Sequence, residues 1–192
     1  MTKSRLEAFS DGVIAIIITI MVLELKAPHD TSWHAIKAVL PSFLSYVLSF
    51  TLVAIYWGNH HHLFHLVKHV DGRLLWANNH LLFWLSLVPF STGWMGENHF
   101  ATWPTVLYGI NLLMAGAAYD LMVRSLHRAN ASDAEHWAGH AKLAWKRNLS
   151  VILYLAAIPL AFVHVLIADA LFVAVAIMWL IPDRRIEQAL GH

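Results

Sequence analysis

The residues that could do chemistry in this sequence lie beside its apolar segments. Asp11 stands at the start of one such segment, where ten of the twelve residues from Gly12 to Leu23 are Val, Ile, Leu, Met or Ala. An ionisable side chain in this setting usually faces the interior of a helix bundle and has a polar partner. Capping is a second interpretation, because the helix dipole favours a carboxylate near an N-terminus. Asp11 is therefore a candidate for a polar contact, a proton site or a cap.

Candidate partners for Asp11 come from the residue next to it, Ser10, and from two later segments. The later candidates flank the loop near residue 70: Trp57, Asn59, His60 and His61 before it, and Asn78, Asn79 and His80 after it. We expect a hydrogen-bonded cluster at one membrane depth. Arg5 lies six residues before Asp11, so the two do not share a helix face. They would pair across helices, or each with other polar groups.

The spacing of the histidines raises a metal site as an alternative. His61, His65 and His69 recur at four-residue intervals, and the pattern His61-His62-x-x-His65 is similar to the histidine boxes of membrane di-iron desaturases. Those enzymes need several such boxes, and this sequence has one, without a carboxylate-bearing helix to complete a site. The sequence also lacks a Ser-His-Asp set, a Gly-rich phosphate loop and a basic aromatic surface. We therefore expect no enzymatic activity, no cofactor, no bound metal and no nucleic-acid partner.

The composition indicates an all-α membrane protein. The chain is 58% hydrophobic and 13% charged, with a mean hydropathy of +0.56, whereas soluble domains are about 25% charged. It has no cysteine, which excludes disulfides and thiolate metal sites. Spans of ~20 apolar residues are needed to cross a bilayer. We predict one six-span domain over residues 1–192, with spans at about 5–26, 39–67, 73–95, 104–127, 146–164 and 167–182.

The basic residues predict the orientation. The last apolar stretch has basic residues at both ends, so it must cross twice, turning near His164 to Asp169, because loop Lys and Arg prefer the cytoplasm. With both termini cytoplasmic, only Lys26 and Lys37 of the 13 basic residues lie outside. The inner residues are Lys3, Arg5, Lys68, Arg73, Arg124, Arg128, Lys142, Lys146, Arg147, Arg184 and Arg185. Trp33, Trp94 and Trp103 would form an outer aromatic belt.

The first span carries a stripe of aliphatic side chains with a single hydroxyl on one face of the helix. At 100° per residue, Ile16, Thr19, Ile20 and Leu23 fall within an arc of about 100°. One interpretation is a stripe that faces lipid or the core, with Thr19 bonding to a carbonyl of its own helix. The other is a constriction, since rings of apolar side chains around an axis gate pores by dewetting.

Several short motifs together resemble the transmembrane protein 175 family of potassium channels. The first helix carries Arg5-x-x-x-Phe9-Ser10-Asp11 and continues as a branched aliphatic run. The stretches WGNHH at 57–61, LLWAN at 74–78 and SLVPF at 86–90 agree with the same family. The resemblance covers the first three spans by motif and the remainder by helix count.

The resemblance implies a potassium-permeable cation channel in a prokaryotic cell membrane. Family members lack a P-loop filter, and this sequence has no T-V-G-Y-G-like segment. Prokaryotic chains have six spans and form homotetramers in which span 1 lines the pore. Counted from the motif aspartate, the apolar bottleneck falls on Ile16, a threonine layer on Thr19, and further apolar layers on Ile20 and Leu23. The motif carries over to Arg5, Phe9, Ser10 and Asp11, with Trp57, His60 and Asn78 as partners.

Two other classes of function stay open. A proton-coupled transporter could use Asp11 and the inner-end histidines as a relay, although the halves lack matching Gly- or Pro-broken helices. A structural bundle without transport is the third class. The small residues from Gly109 to Gly116 suit close helix contact in any of the three. Potassium ions, membrane lipids and further copies of the chain are the expected partners.

Overall fold

The computed structural model describes residues 2–65, 67, 69–129 and 144–181, whose regular structure is α-helical without a strand. The helices within these ranges are α1 (Lys3–Leu23), α2 (Trp33–His65), α3 (Gly72–Ser86), α4 (Val88–Glu97), α5 (Thr102–Ala129), α6 (Ala144–Leu160) and α7 (Val165–Leu180). The predicted all-α class is confirmed.

Three of these helices are long and apolar enough to cross a bilayer. They are α1, α2 and α5, while α7 is a shorter apolar helix. The count of six spans stays a prediction, as does the orientation of the termini. Four of the basic residues used for that orientation, Lys68, Lys142, Arg184 and Arg185, lie outside the described residues.

The second span begins earlier than its hydropathy indicates. We expected it from about residue 39, but α2 begins at Trp33. Its start is set by polar side chains: Ser32 Oγ accepts a hydrogen bond from the Ala35 amide at 3.3 Å, and Asp30 Oδ1 accepts from the Ser32 amide at 3.1 Å. Such caps satisfy amides that have no partner within the helix. The cap, rather than the apolar run, determines the boundary.

The third predicted span consists of two helices. α3 ends at Ser86 and α4 begins at Val88, so residues 73–95 are interrupted at Leu87. Pro89 lies two residues after Leu87, and a proline has no amide hydrogen to continue the ladder of the preceding helix. It is tolerated in the first turn of α4, where amides need no helical partner.

The turn between the last two helices lies slightly before the predicted position. Residues 161–163 form the turn, and His164 caps α7 by accepting from the Leu166 amide through Nδ1 at 3.3 Å. Asp169, which we expected in the turn, lies within α7. The histidine cap explains the difference, because α7 begins at Val165, the residue after His164.

Helix α5 lies at the centre of the packing and α1 at its edge. α5 contacts α3, α4, α6 and α7, and it contributes Met122 to one apolar core and Tyr108 to the other. Close approach is helped by Gly109, where an added Cβ would lie 3.0 Å from the Phe172 ring. α1 contacts α2, α3 and α4. It therefore buries one side, and no described residue covers the other side.

Candidate functional site

The predicted stripe lies on the uncovered side of α1. Ile16, Ile20 and Leu23 are 58%, 41% and 80% exposed, and Thr19 is exposed as well. The buried side of the same helix is formed by Leu6, Ser10, Ile14, Ile17 and Met21. A row of branched aliphatic side chains that no described residue of the chain covers is available to lipid, to another copy of the chain or to a pore.

The Thr19 hydroxyl makes a bond within its own helix. Thr19 Oγ1 donates to the Ile16 carbonyl at 2.8 Å, as one of the two interpretations of the stripe anticipated. This bond uses the only hydroxyl hydrogen, so the lone pairs of Oγ1 remain available on an exposed surface. An oxygen of this kind can accept from water or contact a cation.

A groove of about 570 Å³ follows the stripe between α1 and α4. Ile16 and Ile20 line one wall, while Phe90 and Trp94 belong to the other. At the end of the groove Lys26 Nζ donates to Glu97 Oε1 at 2.6 Å, and this hydrogen bond raises the pKa of Lys26 above its ordinary value. The pair joins the ends of α1 and α4 beside the stripe.

Three side chains from three helices form a buried chain of hydrogen bonds at the other end of α1. Asn78 Nδ2 of α3 donates to Ser10 Oγ at 3.0 Å, and Asn78 Oδ1 accepts from His60 Nε2 of α2 at 2.8 Å. The Ser10 hydroxyl in turn donates to the Leu6 carbonyl at 2.8 Å. All three residues have no exposed surface. This arrangement requires the tautomer of His60 with its proton on Nε2.

Asp11 is held by a separate contact. Trp57 Nε1 of α2 donates to Asp11 Oδ1 at 3.0 Å. The Trp57 ring stacks on His61, with centroids 5.8 Å apart. The carboxylate is half-buried rather than sealed. It therefore ties α1 to α2 one residue beyond the Ser10 contact.

Other residues of the expected cluster lie apart from it. Arg5 and Phe9 are exposed, and Arg5 makes no hydrogen bond or ion pair with any described residue. His80 Nε2 accepts from Trp84 Nε1 at 2.9 Å, away from Asp11. Within one subunit, Asp11 and Arg5 are thus not partners.

The histidine series does not converge on a shared centre within the described residues. His61 and His65 place their Nε2 atoms 2.9 Å apart. No group of three or more His, Cys, Asp or Glu in that part of the chain is arranged to hold a metal ion. The two histidines hydrogen-bond to each other through these atoms.

Two features of the site were missed by sequence reasoning. Phe64 stacks on the buried face of His60, with centroids 4.3 Å apart; the spacing of four residues in a helix was the available signal. A second polar chain lies toward the other end of the bundle, where Thr92 donates to Ser49 at 2.7 Å and Ser49 bonds to the Tyr108 hydroxyl at 2.9 Å. Hydroxyl residues at positions 45 and 49 of an apolar helix were its signal.

Comparison with known proteins places this geometry among membrane channels. The family model described as "Endosomal/lysosomal potassium channel TMEM175" matches residues 5–89. A potassium channel of Chryseobacterium sp. (strain P1-3) is 51% identical over 191 residues, which are 99% of this chain and 98% of that relative. An endosomal/lysosomal proton channel TMEM175 of Danio rerio is 37% identical over 119 residues, 59% of this chain and 22% of that protein.

A solved structure agrees with the sequence matches. The crystal structure of a lysosomal potassium-selective channel TMEM175 homolog from Chamaesiphon minutus superposes with a TM-score of 0.79 at 28% identity. The match covers 92% of this chain and 95% of that chain. Nearly full-length identity of this order, together with a shared fold, establishes kinship over the whole chain. The chain belongs to the TMEM175 family of membrane ion channels.

Proposed function

We propose that this chain forms a homotetrameric, potassium-permeable cation channel in a prokaryotic cell membrane, with α1 lining the pore and no P-loop filter. The observation that carries the proposal is the exposed stripe of α1. Ile16, Thr19, Ile20 and Leu23 lie on a face that no described residue of the same chain covers. The similar crystal structure from Chamaesiphon minutus is that of a lysosomal potassium-selective channel TMEM175 homolog. Helices that meet at a symmetry axis would bring such stripes together.

In this arrangement four copies of Ile16 form an apolar ring. Methyl groups cannot replace the water of a potassium ion, so conduction requires the ring to admit a partly hydrated ion, and a narrower ring would stop flow by dewetting. Ile20 and Leu23 add apolar rings one and two turns along the helix. Thr19 adds hydroxyl oxygens between the rings of Ile16 and Ile20. The bond of Thr19 to the Ile16 carbonyl leaves the lone pairs of these oxygens free.

The polar cluster sets the rotation of α1. Ser10 is tied to Asn78 of α3, and Asp11 is tied to Trp57 of α2. Two contacts at adjacent positions on one helix point in directions about 100° apart, so together they fix the angle of the helix about its axis. That angle leaves the stripe on the uncovered side. The cluster thus acts on the pore by position, without touching the ion.

Current recordings test the proposal. The purified protein in planar bilayers should carry ohmic current whose reversal potential follows the potassium gradient. Chemical cross-linking in detergent should yield bands up to four chains. Flux that saturates and requires a proton gradient would contradict the channel. Bands that stop at two chains would contradict the tetramer.

A proton-coupled transporter is the second candidate. Two observations favour it: His60 Nδ1 is buried without a hydrogen-bond partner among the described residues, and Asp11 lies next to the helix that carries it. Both groups could accept a proton. The same recordings separate the candidates, because a transporter would shift its reversal potential with a pH gradient at fixed potassium. If the chain is a transporter, Asp11→Asn should abolish that shift. If it is a channel, Asp11→Asn should leave the ohmic potassium current unchanged.

A further inference from the structure

A second cavity, of about 730 Å³, lies between α2, α5, α6 and α7, away from the stripe on α1. The apolar part of its lining includes Leu52, Gly116 and Val151. Leu121 and Ile152 at its rim are 47% and 60% exposed. The volume is within the range of small-molecule sites. An open, apolar cavity on the flank of a membrane protein suits a hydrocarbon chain.

The mouth of this cavity carries a net positive charge. Asp120 on α5 pairs with Arg124 at 2.6 Å and with Arg147 of α6 at 3.3 Å. Two arginines and one aspartate leave a charge of about +1, and all three line the cavity. The Arg147 Nε is buried, and its 3.3 Å contact with Asp120 Oδ1 lacks the geometry of a hydrogen bond. A buried donor with so imperfect a partner gains free energy when a better-placed acceptor arrives.

Phenol groups lie between the charged mouth and the apolar end. Tyr56, Tyr119 and Tyr154 all line the cavity, and none of their hydroxyls bonds to a described residue. The rings of Tyr56 and Tyr119 meet edge to face, with centroids 6.0 Å apart. Tyr side chains favour places where one end is apolar and the other polar. Their hydroxyls could donate to ester oxygens.

The depth of the mouth matches a headgroup layer. Asn59 at the mouth is adjacent in α2 to His60 of the inner polar cluster. By the predicted orientation this end of the bundle is cytoplasmic, and Arg124 and Arg147 are among the inner basic residues. Arginines at this level attract anionic lipids, and each contributes about fivefold in affinity.

We infer that this cavity binds one anionic phospholipid of the inner leaflet, with the phosphate at Arg124 and Arg147 and an acyl chain between α2 and α6. Charge selects the headgroup, because the arginines outnumber the single aspartate. The apolar end selects a hydrocarbon chain over a free phosphate ion. The site is independent of the pore proposal, since it shares no residue with the stripe.

Native mass spectrometry of the detergent-solubilised protein tests the site. Phosphatidylglycerol should bind at least fivefold more tightly than phosphatidylcholine, because the choline cation cancels the phosphate charge. Arg124→Gln should lower phosphatidylglycerol binding about fivefold, and its side chain is 72% exposed, so folding is unaffected. Ala117→Phe, at an exposed lining position, should block the cavity and lower the binding of both lipids.

The matched control is Arg128→Gln, which removes the same charge one turn further along α5 at an exposed position that does not line the cavity. It should leave phosphatidylglycerol binding within twofold of the unmodified protein. Equal losses at Arg124 and Arg128 would mean non-specific attraction and would overturn the site. Competition by inorganic phosphate at millimolar concentration would also overturn it, because the acyl chain would then contribute nothing.

Discussion

Asn78 of α3 donates a hydrogen bond to the Ser10 hydroxyl of α1 across 3.0 Å, in a contact with no solvent-exposed surface on either residue. The bond joins the candidate pore helix to the bundle at a single rotation. Six residues later on the same helix, Ile16 is 58% exposed. A buried polar contact at one end of α1 is thus coupled to the direction of the aliphatic stripe.

Removal of the Asn78 amide should destabilise the subunit. Asn78→Ala leaves the His60 Nε2 proton and a Ser10 lone pair without partners in a dry site, which costs about 1–3 kcal/mol. We expect a lower melting temperature and, in detergent, a smaller peak for the proposed tetramer. Asn79→Ala is the control, since Asn79 is only half-buried and makes no hydrogen bond among the described residues. Equal melting temperatures for the two variants would contradict a structural role for the cluster.

The crossing of α4 over α2 at Gly96 makes a second stability test. A Cβ at this position would lie 2.6 Å from the Ser42 Cα and 2.4 Å from the Ser45 Oγ. Because a backbone atom cannot move aside cheaply, Gly96→Ala should cost about 1–3 kcal/mol and lower the melting temperature. Gly93→Ala, on the same helix, adds a Cβ that meets nothing within 4 Å. It should melt like the unmodified protein, and a lower value would show that α4 tolerates no change.

The sequence predicts the helical class and the stripe because both depend on local periodicity. The stripe residues are set by 100° steps along one helix, so their common face follows from spacing alone. The break at Leu87 also had a local signal in Pro89, but the apolar run across it concealed the interruption. The start of α2 at Trp33 depended on a serine cap that hydropathy does not register.

Contacts between distant segments were harder to predict from the residues. Trp57, His60 and Asn78 were expected near the motif through the family resemblance, whereas helix spacing could not distinguish His60 from His61. In the structure His60 is buried against Phe64, and His61 faces His65. Which of the two histidines is buried depends on the rotation of α2 about its axis. Packing against α1 and α3 determines that rotation. The cavity beside Arg147 likewise needs four helices to be placed before it exists.

Reporter fusions test the predicted topology. A cytoplasm-specific reporter attached before Met1 or after His192 should be active, because 11 of the 13 basic residues lie on that side of the six-span map. A fusion in the loop that contains Lys26 should be inactive with the same reporter. Activity of the loop fusion, or silence of either terminal fusion, would contradict the six-span map with both termini in the cytoplasm.

The oxygen of Thr19 should contribute to selectivity. Thr19→Val keeps the branched shape and removes the hydroxyl, so the lone pairs that face away from the Ile16 carbonyl are lost. We expect weaker discrimination of potassium from sodium, with the apolar barrier still in place. Thr19→Ser restores the oxygen and should restore selectivity. Reversal potentials under mixed potassium and sodium measure both, and equal selectivity in the valine and serine variants would exclude the hydroxyl from ion contact.

Substitution at Ile16 tests the direction of the stripe most directly. Ile16→Asn would replace methyl groups in the proposed ring with amides that can take the place of water lost by the ion. We expect larger currents and weaker selectivity, with the tetramer peak unchanged, because the side chain is 58% exposed in the subunit. Single-channel conductance and reversal potential in bilayers are the measurements.

The neighbouring isoleucines are the controls for that experiment. Ile17 is 3% exposed and packs in the core, and Ile18 packs against the same core, so an asparagine at either position meets apolar side chains. Ile17→Asn should lower expression or the melting temperature by leaving a buried amide without partners, and Ile18→Asn should do so to a smaller degree. Neither should enlarge the current. If Ile17→Asn opens the pore while Ile16→Asn conducts like the unmodified channel, the ion passes along the other face of α1.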